Sequence, residues 1–167
     1  MTVPGRVRRL HLSLPDTPRP LGNYVPAVEA GNLLFVSGML PIRDGAAAFV
    51  GRVGQELNLA SGRQAAQLAA ANALAAARDA VGLNRLAGVA RLAAHVACAP
   101  DFRGYAGIAD AASEYINQVF HGSRHSRLVF GHSSLPGGMP IELELIFVLH
   151  PKYRHATKRR NDALSRF

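Results

Sequence analysis

Two charged residues late in the chain could do chemistry on a small anion. Arg127 has a planar fork that donates two parallel hydrogen bonds to a carboxylate, and its charge does not titrate away. Glu142 has a carboxylate that can hold and polarise a water or pass a proton. Each also has a plainer reading: Arg127 as a surface arginine on an edge strand, paired with Asp110 or Glu114, and Glu142 as a solvated residue on the polar side of the last strand. Other constellations carry less. His121, His125 and His132 are close in sequence, but no Cys/His pair has a zinc spacing and Arg124 and Arg127 would repel a cation, so no metal is expected. Gly51 and Gly54 lack the third glycine and the strand-to-helix setting of a dinucleotide fingerprint. The run His132-Ser133-Ser134 places neighbours on opposite strand faces, which does not build a hydrolase triad. Cys98 is the only cysteine; it excludes an intramolecular disulfide and reads as a small buried hydrophobe. No cofactor is expected.

These residues need elements to position them. Tyr24 to Val28 and Leu33 to Ser37 flank Ala30-Gly31-Asn32 and read as two strands joined by a short turn. After Arg43-Asp44-Gly45, Ala46 to Val50 could add a third strand before Gly51 and Gly54 break the pattern. Ser61 opens the clearest helix, with a capping box formed with Gln64, and the alanine-rich run continues to about Val81, where Gly82 is the expected terminator. Val89 to Cys98 alternates as a strand, with Arg91 and His95 on the side away from Leu92, Ala94 and Val96. A second helix is expected from Asp101 to about Phe120, followed by strands from Ser126 to about Ser134 and from Ile141 to His150. The order predicts an α+β domain, a two-layer mixed sheet with two helices on one face. The other face must carry Glu142 and Glu144 beside Ile146 and Val148, so covering it with further subunits is physically attractive.

The chain has 167 residues, 49% of them hydrophobic, which suits one domain. Its formal charge of +8 sits at the ends. Residues 21–149 balance nine arginines against nine acidic groups, residues 1–20 carry four arginines against Asp16, and residues 150–167 carry six basic groups against Asp162. The division is therefore a basic N-terminal extension (1–20), a single domain (21–150) and a basic tail (151–167), with solvated, disordered ends expected. A neutral core gives no phosphate track, so nucleic acid is not expected as a partner. The chain shows no apolar run of membrane-spanning length, and MTVPGRVRRL is not followed by the apolar core of a secretory signal, so no membrane and a cytoplasmic location are expected.

Five segments, in order, resemble the Rid/YjgF reactive-intermediate deaminase family (RidA-like, endoribonuclease L-PSP-like). They are GNYVPAV (22–28), GNLLFVSGMLP (31–41), VARLAAHVACAPDF (89–102), HSRLVFGHSSLP (125–136) and PIELELIFVL (140–149). The resemblance implies a chorismate-mutase-like/YjgF-like fold, a homotrimer with ligand pockets in the clefts between subunits, and hydrolysis of enamines and imines to 2-keto acids and ammonia. It implies that Arg127, eight residues before Leu135-Pro136, binds a substrate carboxylate and that Glu142 acts with water at the imine carbon. It also places Tyr24 near the cleft and Ser37 and Gly38 at the ligand, where glycine admits close backbone approach.

The chain also departs from the family pattern. Val129 stands where many deaminases have a cysteine, Met39 replaces a frequent glutamine, and the second helix has Asp110 and Ser113 in place of an asparagine. These changes mark a divergent branch, with another substrate or a pocket that binds without turnover. Three functions follow: a 2-iminobutanoate/2-iminopropanoate deaminase-like hydrolase, a non-catalytic binder or sensor of a small carboxylate-bearing metabolite, and an RNA-binding protein or endoribonuclease.

Overall fold

A computed structural model describes residues 2–122 and 124–152. Its elements are α1 (Val3–Arg9), β1 (Ala27–Ala30), β2 (Leu33–Met39), β3 (Ile42–Arg43), β4 (Ala46–Ala47), α2 (Leu59–Val81), β5 (Leu86–Ala97), α3 (Tyr105–Val119), β6 (Ser126–His132) and β7 (Ile141–Leu149). The main sheet has the order β1-β2-β7-β5-β6. It is mixed: β5 and β6 run parallel, as their connection through α3 requires, and the other neighbours are antiparallel. This is the expected α+β layering. The tail expected from residue 151 lies, beyond residue 152, outside the described residues.

Alternation along β7 sorts the two layers. Ile141, Leu143, Leu145, Phe147 and Leu149 are buried under α2 and α3, while Glu142, Glu144, Ile146 and Val148 lie on the open face. Alanines of α2 at 65, 66, 69, 70, 73, 76 and 77 are fully buried or nearly so, which lets the helix lie close to the sheet and to α3.

Several boundaries differ from the sequence reading, each for a local reason. The N-cap of α2 is Asn58, not Ser61: its extended backbone lets the side-chain carbonyl accept from Ser61 N–H at 2.9 Å, so the helix starts at Leu59. Gly82 ends it at φ 80°, as expected. The second helix starts at Tyr105, because residues from Asp101 to Gly104 turn first, with Phe102 N–H donating to Ala99 O. The first strand begins at Ala27, after Pro26, which has no N–H to give a ladder. The expected third strand reduces to Ala46–Ala47, hairpinned with Ile42–Arg43 through Asp44 (φ 53°) and Gly45 (φ 78°) and separate from the main sheet. The N-terminal residues, expected to be solvated and disordered, form α1, whose Val3 and Val7 pack against the core together with Leu12 and Leu14. Among the described residues no helix is long and apolar enough to cross a membrane.

Candidate functional site

On the open face, β2 bulges where it passes β7. Val36 pairs with Leu145 and Met39 with Leu143, so Ser37 and Gly38 together oppose Glu144. The bulge brings the Gly38 backbone under the Glu142 carboxylate. A Cβ at residue 38 would collide with Glu142 Oε1 and Cδ, so the missing side chain is what seats the carboxylate there.

Glu142 opens into a cavity of 540 Å³, lined also by Ser37, Gly38, His95, His132 and Leu135. Among the described residues Glu142 forms no ion pair and no hydrogen bond through its side chain. Its Cα register partner is His95 on β5. His95 Nδ1 lies 2.9 Å from His132 Nε2, and the Phe130 ring stacks on His95 at 5.4 Å with an interplanar angle of 22°. Sequence alternation placed His95 on the correct side of β5 but could not show what lies beside it. His132 ends β6, and nothing in its own segment points to His95. The signal that unites them is strand register, which no single segment carries.

The other expected site residues distribute unevenly. Ser37 lines the cavity, but its hydroxyl donates to Val25 O at 2.7 Å, tying β2 to the segment before β1. Tyr24 is half exposed, and its hydroxyl accepts from Leu21 N–H at 3.2 Å. It lines an adjoining crevice that shares Gly38 with the main cavity. Arg127 faces the other way. It registers with Leu92, a core residue, and its Nη1 donates to Asp110 Oδ1 at 2.7 Å and to Ser113 Oγ at 3.1 Å on α3. Of the two sequence candidates for its partner, Asp110 is the one used; Glu114 pairs with Arg63.

Ser113 is buried and lies 3.0 Å from His125 Nε2. Burial, and secondarily the charge of Arg127, holds the His125 pKa below its ordinary value of 6.5. The neutral ring can accept from the Ser113 hydroxyl while that oxygen accepts from Arg127. Nη2 and Nε of Arg127 have no hydrogen-bond partner among the described residues, which leaves one edge of the guanidinium for a ligand. The three histidines that are close in sequence are apart in the fold: His125 is with Ser113, His132 with His95, and His121 lines a separate pocket with Phe120 and His150.

Arg127 and Glu142 therefore do not converge within one chain. They sit on opposite faces of the sheet, three residues apart along the register and two strands apart across it, roughly 10 Å in each direction.

Residues 5–149 match a family model described as "YjgF/chorismate mutase-like, putative endoribonuclease". The chain is similar to Protein TCP17 of Trypanosoma cruzi, with 32% identity over 151 residues, 89% of this chain and 94% of that one. It is also similar to the crystal structure of the protein Atu1372 from Agrobacterium tumefaciens, at 35% identity and a TM-score of 0.80 over 89% of this chain and 92% of that one. A crystal structure of a "putative endoribonuclease" from Shewanella oneidensis MR-1 has 28% identity and a TM-score of 0.85, covering 89% of this chain and all of that one.

Proposed function

Because the chain belongs to the YjgF/chorismate mutase-like family, we propose that it hydrolyses small enamines and imines derived from amino acids to 2-keto acids and ammonia. The observation that carries this reading is the Glu142 carboxylate, seated over Gly38 in an open cavity without a counter-ion among the described residues. A carboxylate in that state can take a proton from water as the water oxygen adds to the C=N carbon. The resulting carbinolamine loses ammonia once its nitrogen is protonated, and a carbonyl remains.

Arg127 holds the substrate carboxylate through its free Nε/Nη2 edge, its Nη1 being fixed by Asp110 and Ser113. One small substrate meets both Arg127 and Glu142 only if different protomers supply them. A homotrimer with its sites at subunit boundaries satisfies that requirement. Phe35, Leu128 and Phe130 on the open face are exposed apolar surface of the kind such an assembly buries.

The test is ammonia release from 2-iminopropanoate and 2-iminobutanoate generated in situ. Glu142→Gln should lower kcat by roughly 10²–10⁴, while Arg127→Ala should act mainly on KM by removing carboxylate binding. Wild-type turnover in Glu142→Gln would exclude the reading. Tight binding of a 2-keto acid with no turnover in the wild type would instead support the sensor function. Salt-sensitive RNA cleavage by the wild type would support the endoribonuclease named for the family.

A further inference from the structure

We infer that His95 and His132 form a proton relay that serves the leaving nitrogen, working beside Glu142 as a second catalytic group. The inference rests on the hydrolase reading above and names two residues which that reading leaves unused.

The geometry is a line across three strands. Glu142 on β7 is the register partner of His95 on β5, and His95 is hydrogen-bonded to His132 on β6. All three side chains line the same cavity. Cross-strand partners hold their Cβ atoms about 5 Å apart, so Glu142 and His95 flank one stretch of the cavity, the carboxylate on the β2 side over Gly38 and the imidazole on the β6 side. The two rings are fixed relative to one another by the β5·β6 ladder, which pairs His95 with Phe130 and Ala97 with His132, and by the Phe130 ring stacked on His95.

The chemistry follows from the 2.9 Å separation of Nδ1 and Nε2. At that distance one nitrogen donates and the other accepts, so a single proton lies between the rings. One outer nitrogen, His95 Nε2 or His132 Nδ1, then carries a proton and the other is bare. A proton taken up at the bare end and one released at the far end interchange the two arrangements. The pair can therefore receive a proton on one side of the cavity and deliver one on the other, with no net change in its own charge.

Applied to an imine, the steps balance. The water oxygen bonds to the imine carbon, a water proton goes to Glu142, and the C=N electron pair moves onto nitrogen, which takes a proton from the relay. Glu142 then gives its proton to the nitrogen, and the carbinolamine hydroxyl passes its own to the end of the relay that donated. The C–N bond then breaks, its electron pair leaves with ammonia and the carbonyl forms. The far end of the relay takes up a solvent proton in the first transfer and releases one in the last, so Glu142 and both rings end as they began. The sum is imine plus water to carbonyl plus ammonia. The groups facing the pair are Glu142 and Glu144 from β7 and Arg91 further along β5; β2 presents Ser37, which does not titrate in this range.

The experiment is the pH dependence of kcat and KM for imine hydrolysis by the wild type, His95→Asn, His132→Asn, the double variant and Glu142→Gln. The relay requires that each single histidine variant lose about a hundredfold in kcat with KM nearly unchanged, that the double variant be no slower than either single, and that the imidazole limb of the pH profile disappear. If Glu142→Gln is inactive while both histidine variants keep the wild-type kcat and profile, the relay is wrong and the hydrolase reading stands. If the wild type itself releases no ammonia, both are wrong. Should the variants fail to fold, nitrogen-15 NMR of wild-type histidine rings decides: a relay requires the two rings to titrate as one coupled unit, and independent titrations overturn it.

Discussion

At Gly38 a missing side chain is what lets the site form. The atom displaced by a Cβ at that position is the far end of a flexible glutamate, so Gly38→Ala should fold with little loss of stability while pushing the Glu142 carboxylate off its seat. The expected result is a melting temperature close to the wild type with ammonia release reduced at least tenfold, read by calorimetry and a coupled ammonia assay. A second residue-scale expectation concerns His125. Its folded pKa is lowered by burial first and by Arg127 second, so between the folded and unfolded values the unfolded chain binds more protons. The stability tied to the neutral ring is fully present above about pH 6.5 and is lost as the pH falls through the folded pKa. The melting temperature should therefore drop more steeply on acidification in the wild type than in His125→Gln, in parallel melts across that range. Equal slopes would remove the role given to this ring.

Elements hold the bulge in place as much as residues do. Asn72 of α2 is fully buried and donates to the carbonyls of Leu40 at 2.8 Å and Ile42 at 2.9 Å, which clamps the turn leaving β2 just beyond Gly38. Asn72→Ala would leave two acceptors without their donor, and roughly 2–4 kcal/mol of stability should be lost, measurable as a shift in urea midpoint at constant slope. Much at this scale was readable in sequence. The β7 alternation announced its two faces, and the alanine run announced a helix able to pack closely, because period-2 and period-3.6 patterns are local. The termini of elements were less legible. Asn58, three residues before Ser61, is itself a strong N-cap, and the choice between them depends on the backbone of the preceding loop. Helix α1 was hidden by its arginines and by Gly5; the pair Val3 and Val7, four apart, was its signal.

On the scale of the whole molecule, the open face of the sheet is the unfinished surface. Phe35, Leu128 and Phe130 are each more than 40% exposed, beside Ile146 and Val148 on the same layer. If these residues are buried between protomers of a trimer, Leu128→Asp and Phe35→Asp should each shift the sedimenting species from three times the 17.8 kDa chain mass to one. Imine hydrolysis should fall with assembly, since Arg127 and Glu142 need different protomers to share one substrate. A wild type that sediments as a monomer at all concentrations would remove the cross-protomer site.

Sequence alone determined the α+β layering, the order of the principal strands and helices, and the residue types able to clasp a small carboxylate or to polarise a water. These follow from periodicity and side-chain chemistry, which are properties of a segment. Tertiary structure decided which of those residues meet. It turned Arg127 to the helix side and bound it to Asp110, and it lowered Glu142 onto Gly38 at a bulge. It also set His95 and His132 within one hydrogen bond of each other. The physical reason is register: a side chain's face and neighbours depend on how strands slide and bulge against one another, and that offset is written in no single stretch of chain.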